Sequence, residues 1–245
     1  MANPPDGAHG TARLRKRANR GWKVFLRDLV LILLAAILIS FLIKTFLIRS
    51  FYIPSASMEQ TLVKDDRVIV NQLEPGLIPI ERGDIVVFKD PGGWMPPADD
   101  QPTNGFLGAV DAVLEFIGLA AADGNEHLIK RVIGLPGDSI VCCDDFGHIT
   151  VNGTPIEEPY ITLPAGVTKV TPDTFDVTVP DGSLWVMGDN RYRSADSAHQ
   201  LEHNPDFAYV PVENVVGRAV LINWPVNRWA WLDNHPVTFE GVEDH

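Results

Sequence analysis

Residues 53–62 read Ile-Pro-Ser-Ala-Ser-Met-Glu-Gln-Thr-Leu and offer two hydroxyls, Ser55 and Ser57, two positions apart. A serine hydroxyl is a weak nucleophile until a neighbouring base takes its proton. Further along, Lys130 lies in the apolar run Leu128-Ile129-Lys130-Arg131-Val132-Ile133. Strand alternation could turn it inward, and burial among apolar groups disfavours the ammonium form. Such a lysine can serve as a base near neutral pH, which an ordinary pKa of about 10.4 prevents. Taken singly, each feature has a plain structural reading. Ser-x-Ser reads as a surface turn, and a strand lysine as a solvated edge residue. Gly134-Leu135-Pro136-Gly137-Asp138 and Gly188-Asp189-Asn190-Arg191 read as turns. The sequence holds neither G-x-S-x-G nor H-E-x-x-H, so those hydrolase and zincin signatures are missing. Its seven histidines have no triad context, and the polar, proline-bearing surround of His199 and His203 disfavours a helical metal pair. Cys142 and Cys143 are too few for a four-cysteine zinc site; they read as small inert residues, a free pair or a vicinal disulfide.

Charge separates the chain into two parts. Residues 1–28 hold seven Lys/Arg against two acids, and residues 49–245 hold twelve against thirty, within a total of −12. An acidic bulk excludes nucleic acid as a partner, because a phosphate backbone calls for a dense basic surface. Between the two blocks, residues 29–48 are apolar except for Lys44. Twenty residues of helix extend about 30 Å, the hydrocarbon thickness of a bilayer. No small-x-small cleavage site closes this run, so it reads as an uncleaved transmembrane helix in contact with lipid. The positive-inside rule places residues 1–28 in the cytoplasm and residues 49–245 outside. The first twenty residues, polar and basic, read as disordered.

Beyond the apolar run the pattern shortens. Segments 67–70, 84–88, 128–133, 139–142, 148–151, 154–156, 175–179, 184–187 and 215–222 read as strands bounded by Gly, Pro and Asp. Asn152-Gly153 suits a tight hairpin turn. The fold expected is mainly β: an antiparallel barrel or sandwich with a β-rich insertion, carried on one N-terminal helix. Residues 90–125 and 157–173 read as inserted excursions, the first holding an amphipathic stretch over 106–121. Trp224, Trp229 and Trp231 suit either lipid headgroups or core packing.

Four segments together carry a specific resemblance. Ile53-Pro54-Ser55-Ala56-Ser57-Met58 resembles the serine box of bacterial type I signal peptidases, and residues 129–138 resemble the lysine box of that family. Residues 82–88 and 188–197 are similar to its remaining two boxes, in the same order behind one anchor. The resemblance implies a membrane-bound serine endopeptidase that removes signal peptides from exported preproteins after small-x-small sites, with no metal and no cofactor. It makes Ser57 the nucleophile, Lys130 the general base, and the Ser57 N–H with the Ser55 hydroxyl an oxyanion hole. Ser194 matches a serine that orients the lysine. Asp196 matches a structural acid, with Arg131 as its expected ion-pair partner. Phe51, Ile53, Pro54, Met58, Leu62 and Ile129 flank the pair in sequence and are the candidates for lining two shallow apolar substrate pockets. Ala198 departs from the family, which often has arginine there; Tyr192 and Arg193 also differ from its commonest residues.

Overall fold

The computed structural model describes residues 10–95 and 127–243. The amphipathic stretch expected at 106–121, with most of the 90–125 excursion, lies outside the described residues. The chain divides into two units between Thr45 and Phe46.

The described part of the first unit is helical throughout: helix α1 runs Gly10–Phe46, ending one residue past the unit boundary. Its window Val24–Phe41 has a mean hydropathy of 2.5, and it is the single helix among the described residues long and apolar enough to cross a membrane. Two expectations are corrected here. Residues 10–20 continue the helix instead of being disordered. The helix also stops short of residue 48, because Ile48 opens strand β1 by pairing with Asn71.

The second unit is built from antiparallel strands. In chain order they are β1 (Ile48–Tyr52), β2 (Arg67–Asn71), β3 (Ile85–Lys89), β4 (His127–Gly134), β5 (Ser139–Cys142) and β6 (Ile149–Val151). There follow β7 (Thr154–Pro155), β8 (Phe175–Thr178), β9 (Ser183–Met187), β10 (Val210–Pro211), β11 (Val215–Trp224) and β12 (Ala230–Trp231). The larger sheet runs β1-β2-β11-β3-β4-β9-β10, with β12 on β11, and the smaller runs β7-β6-β5-β8. Strands β4 and β9 are sheet neighbours, and the chain between them makes the smaller sheet. The β-rich insertion is therefore this four-stranded sheet.

Burial follows the two-residue period. On β3, Ile85 and Val87 enter one apolar cluster while Val86 and Phe88 enter another. A strand covered on both faces needs a continuous apolar run, which is what residues 85–88 supply. The smaller sheet packs Ile140, Ile149, Val151 and Phe175 against Trp185 and Met187 of β9. Its hairpin turns through Asn152 (φ 52°) and Gly153 (φ 78°), the left-handed pair that a two-residue connection requires. The Asn152 side chain is already committed there, accepting from the Ser139 N–H and donating to Asp138.

One helix went unforeseen, and two open alternatives are decided. Helix α2, Ser197–His203, places the His199 and His203 rings in a stack 4.0 Å apart; no group of three or more metal-ligating side chains occurs among the described residues. Cys142 and Cys143 are joined as a disulfide. Trp224, Trp229 and Trp231 are 53%, 66% and 78% exposed, which decides against the core-packing alternative.

Candidate active site

The serine segment leaves β1 and doubles back into β2. Ile53 N–H donates to the Asp66 carbonyl and Asp65 N–H to the Ile53 carbonyl, both at 2.9 Å, closing the neck of this loop. Met58 and Leu62, four apart and without accessible surface, sink one side of the turn into an apolar cluster with Phe51, Ile53 and Ile129. That anchoring fixes Ser57, 8% exposed, against β4. The Ser55 hydroxyl stands 3.3 Å from that of Ser57.

Lys130 sits in the middle of β4, opposite Val86 of β3, and is 3% exposed. Its Nζ lies 2.8 Å from Ser57 Oγ and 3.1 Å from the Ile129 carbonyl, to which it donates. Burial pulls the Lys130 pKa down to about 8, and the charges of Asp196 and Asp189 oppose this only in part. A protonated Nζ donates to Ser57; a neutral one can accept the Ser57 proton. The contact is thus the geometry that serine activation by a lysine requires.

Residues 188–190 hold the serine loop from the other side. Asn190 N–H donates to the Ser57 carbonyl at 3.0 Å, and its side-chain amide donates to the Ala56 carbonyl at 3.1 Å and to Glu59 at 3.3 Å. Thr61 Oγ1 donates to Asp189, whose carboxylate also takes both Arg131 donors at 2.8 and 2.9 Å. Arg131 Nη1 spans to the Gly83 carbonyl at 2.7 Å and the Asp233 carbonyl at 3.1 Å. Serine loop, lysine strand and the 188–190 turn are therefore tied by one buried guanidinium.

Two expectations are revised by this arrangement. Arg131 pairs with Asp189 and not with Asp196. Neighbours on a strand point to opposite faces, and the face Arg131 shares is the one that carries Asp189 and Thr61. Asp196 is turned back to accept the Gly188 N–H at 2.9 Å, and its burial raises its pKa. Where the family often has arginine, Ala198 packs in the core at 2% exposure. The second revision concerns Ser194, whose buried hydroxyl makes no hydrogen bond to Lys130 Nζ and interacts with the Asp196 carboxylate instead. Of the pocket candidates, Phe51, Ile53, Met58, Leu62 and Ile129 lie together in the cluster beneath the serine loop, and Pro54 is exposed above it.

Gly188 packs closely against the serine loop. A Cβ there would lie 2.3 Å from Ser194 Oγ and 2.4 Å from the Ser57 carbonyl oxygen. Gly188→Ala must push the Ser57 loop away from Lys130, and displacements of this size reduce turnover by about 10²-fold. Comparing kcat at unchanged melting temperature checks this.

Thr61, Gly188, Asp189 and Asn190 were not singled out from sequence as members of the site. The last three fall inside a Gly-Asp-Asn turn motif, a signal that was available; Thr61 had none beyond lying four residues after Ser57.

Comparisons with known proteins identify a family. The family model described as signal peptidase, peptidase S26, matches residues 26–224. A probable signal peptidase I of Mycobacterium leprae is 37% identical over 200 residues, 72% of this chain and 68% of its own. Signal peptidase I of Mycobacterium tuberculosis is 37% identical over 222 residues, covering 83% of this chain and 74% of its own. The crystal structure of a signal peptidase I from Enterococcus faecalis aligns at a TM-score of 0.37 with 24% identity, over 57% of this chain and 95% of its own. The family match and the Mycobacterium relatives define a serine-type peptidase. The chain belongs to the signal peptidase family, peptidase S26.

Proposed function

We propose that this peptidase removes N-terminal signal peptides from exported preproteins, with Ser57 as nucleophile and Lys130 as general base. The observation that carries the reading is the 2.8 Å contact between Ser57 Oγ and the Nζ of a lysine that is 3% exposed. Neutral Lys130 takes the Ser57 proton as the oxygen attacks the scissile carbonyl. The Ser57 N–H and the Ser55 hydroxyl stabilise the oxyanion of the tetrahedral intermediate. The Lys130 ammonium then returns the proton to the leaving amine, freeing the new N-terminus. A water activated in the same way by Lys130 attacks the acyl-serine ester and releases the signal peptide. Ser194 and Asp196 lie behind this pair, Asp196 through its charge on Lys130, and Arg131 holds the strand that carries the base.

The edge of β4 supports an extended substrate. Strand β9 joins β4 only from Arg131 onward, so Leu128–Lys130 have β3 on one side and no strand on the other among the described residues. Val132 exchanges both its backbone bonds with Gly83 and Asp84, on the β3 side. By strand alternation the Ile129 backbone then faces the open edge, where an added peptide strand can bond to it. Residues −1 and −3 of such a strand face one way and −2 the other. The side chains beneath, Phe51, Ile53 and Ile129, are packed to between 2% and 7% exposure, and a filled surface of this kind favours small groups over large ones. Specificity for small-x-small sites follows.

The test is a preprotein series assayed with the full chain in detergent. A bulky residue at −1 or −3 is expected to lower kcat/KM by about 10²-fold or more, whereas −2 tolerates it, since a filled pocket rejects added volume at 1–3 kcal/mol or beyond. Equal cleavage of all three variants would contradict the reading.

Location follows the same reasoning. Residues 1–28 form a basic cytoplasmic tail, the apolar part of α1 crosses the plasma membrane once, and residues 49–245 act on its outer side. The exposed Trp224, Trp229 and Trp231 suit the headgroup layer, where amphipathic rings gather.

A further inference from the structure

Residues 157–173, an excursion by composition, are fastened to the catalytic turn by buried charge. The Glu158 and Arg191 side chains are 0% and 1% exposed and form an ion pair, with Arg191 Nη1 donating to Glu158 Oε2 at 2.7 Å. Tyr160 donates its hydroxyl to Glu158 at 2.7 Å. The Tyr160 ring lies 4.0 Å beneath the Arg131 guanidinium. Arg191 Nε donates onward to the Gly188 carbonyl at 3.0 Å, and Tyr192 reaches back to the Lys169 carbonyl at 2.8 Å.

We propose that the 157–173 excursion is a positioning clamp, in which Glu158 fixes Arg191 on the Gly188 carbonyl and Tyr160 covers Arg131, so that Ser57 and Lys130 are kept at reacting distance. The inference rests on the Ser57/Lys130 reading. Two routes connect the clamp to the pair. One passes from Glu158 through Arg191 to Gly188, whose Cα side has no room for even a Cβ against the Ser57 carbonyl. The other passes from Tyr160 through Arg131 to Asp189 and Thr61 on the serine loop. A buried ion pair adds little stability over an apolar pair of the same volume. What it supplies is direction: a bidentate guanidinium has one seat, and a packed apolar pair has several.

The experiment uses the full chain in detergent and the double variant Glu158→Leu with Arg191→Met, which leaves neither charge buried alone. The expected result is a folded protein whose kcat is about 10²-fold lower with KM nearly unchanged. Its activity should also turn on at higher pH than in the wild type, because a loosened Lys130 is better solvated and regains part of its ordinary basicity. Tyr160→Phe keeps the ring over Arg131 and Tyr160→Leu removes it, so the leucine variant should be the slower by about 10-fold. That comparison decides the matter if the double variant does not fold. A folded double variant with wild-type kcat and an unmoved pH profile, or equal rates for the two Tyr160 variants, overturns the clamp. Wild-type protein in the same assay separates the two readings. If it does not cleave, the proposed function fails; if it cleaves and the double variant matches it, the clamp fails.

Discussion

Ser57→Ala and Lys130→Ala should each reduce preprotein cleavage by at least about 10⁴-fold, because nucleophile and base act as one unit and the loss of either removes the same step. The double variant should be little worse than either single one. Lys130→Arg should be as inactive as Lys130→Ala, since a guanidinium keeps its proton at any working pH. In the wild type the rate should follow the neutral fraction of Lys130. With the lysine pKa at about 8, that fraction is about one tenth at pH 7 and near unity two pH units higher, so activity rises about tenfold across the interval. A pH–rate curve flat from 6 to 9 would contradict the assignment of the base.

Lys130→Met should abolish activity and at the same time make the protein more stable. The unfolded chain holds its Lys130 proton up to about pH 10.5, and the folded chain only up to about pH 8. Between those values the unfolded state binds more protons, so wild-type stability rises with pH across this window. Below pH 8 the folded protein bears the full penalty of a charged lysine at a site 3% exposed. A difference of roughly two and a half pKa units corresponds to about 3 kcal/mol. Methionine fills the same space without charge, so Lys130→Met should gain up to about that amount at pH 7. The gain should shrink between pH 8 and 10.5 and vanish above. Denaturant unfolding of both proteins at pH 7 and pH 10 measures it. A less stable methionine variant at pH 7 would mean that Lys130 is retained for packing.

Much of this architecture was legible because its strands are long β-branched runs. Residues 85–88 and 128–133 announce themselves by continuous apolar character, which buried central strands need. Strand β1 was hidden for the opposite reason: Ile48–Tyr52 follows the apolar helix without a break, and hydropathy alone assigns Ile48 to the membrane. Strands β10 and β12 are two residues each, too short to show a period. Helix α2 carries only a short polar sequence, and its position is set by packing of Ala198 and Gln200.

The dyad was legible through its residue types and neighbours, but the supporting contacts were only half so. Two carboxylates, Asp189 and Asp196, lie in one short segment, and proximity in sequence favoured neither as the partner of Arg131. The facing rule for strands separates them: Arg131 must point away from Lys130, toward Asp189 and Thr61. Glu158 and Tyr160 left no trace, because a Pro/Gly/Thr-rich composition describes a loop and not what the loop touches.

The most direct test of the central claim is acylation by a serine-directed inhibitor, with the adduct located by peptide mass spectrometry and its rate followed against pH. One adduct is expected, on Ser57, forming faster as pH rises through about 8, absent in Ser57→Ala and slowed to background in Lys130→Ala. An adduct on another residue, or an undiminished rate in Lys130→Ala, would contradict it.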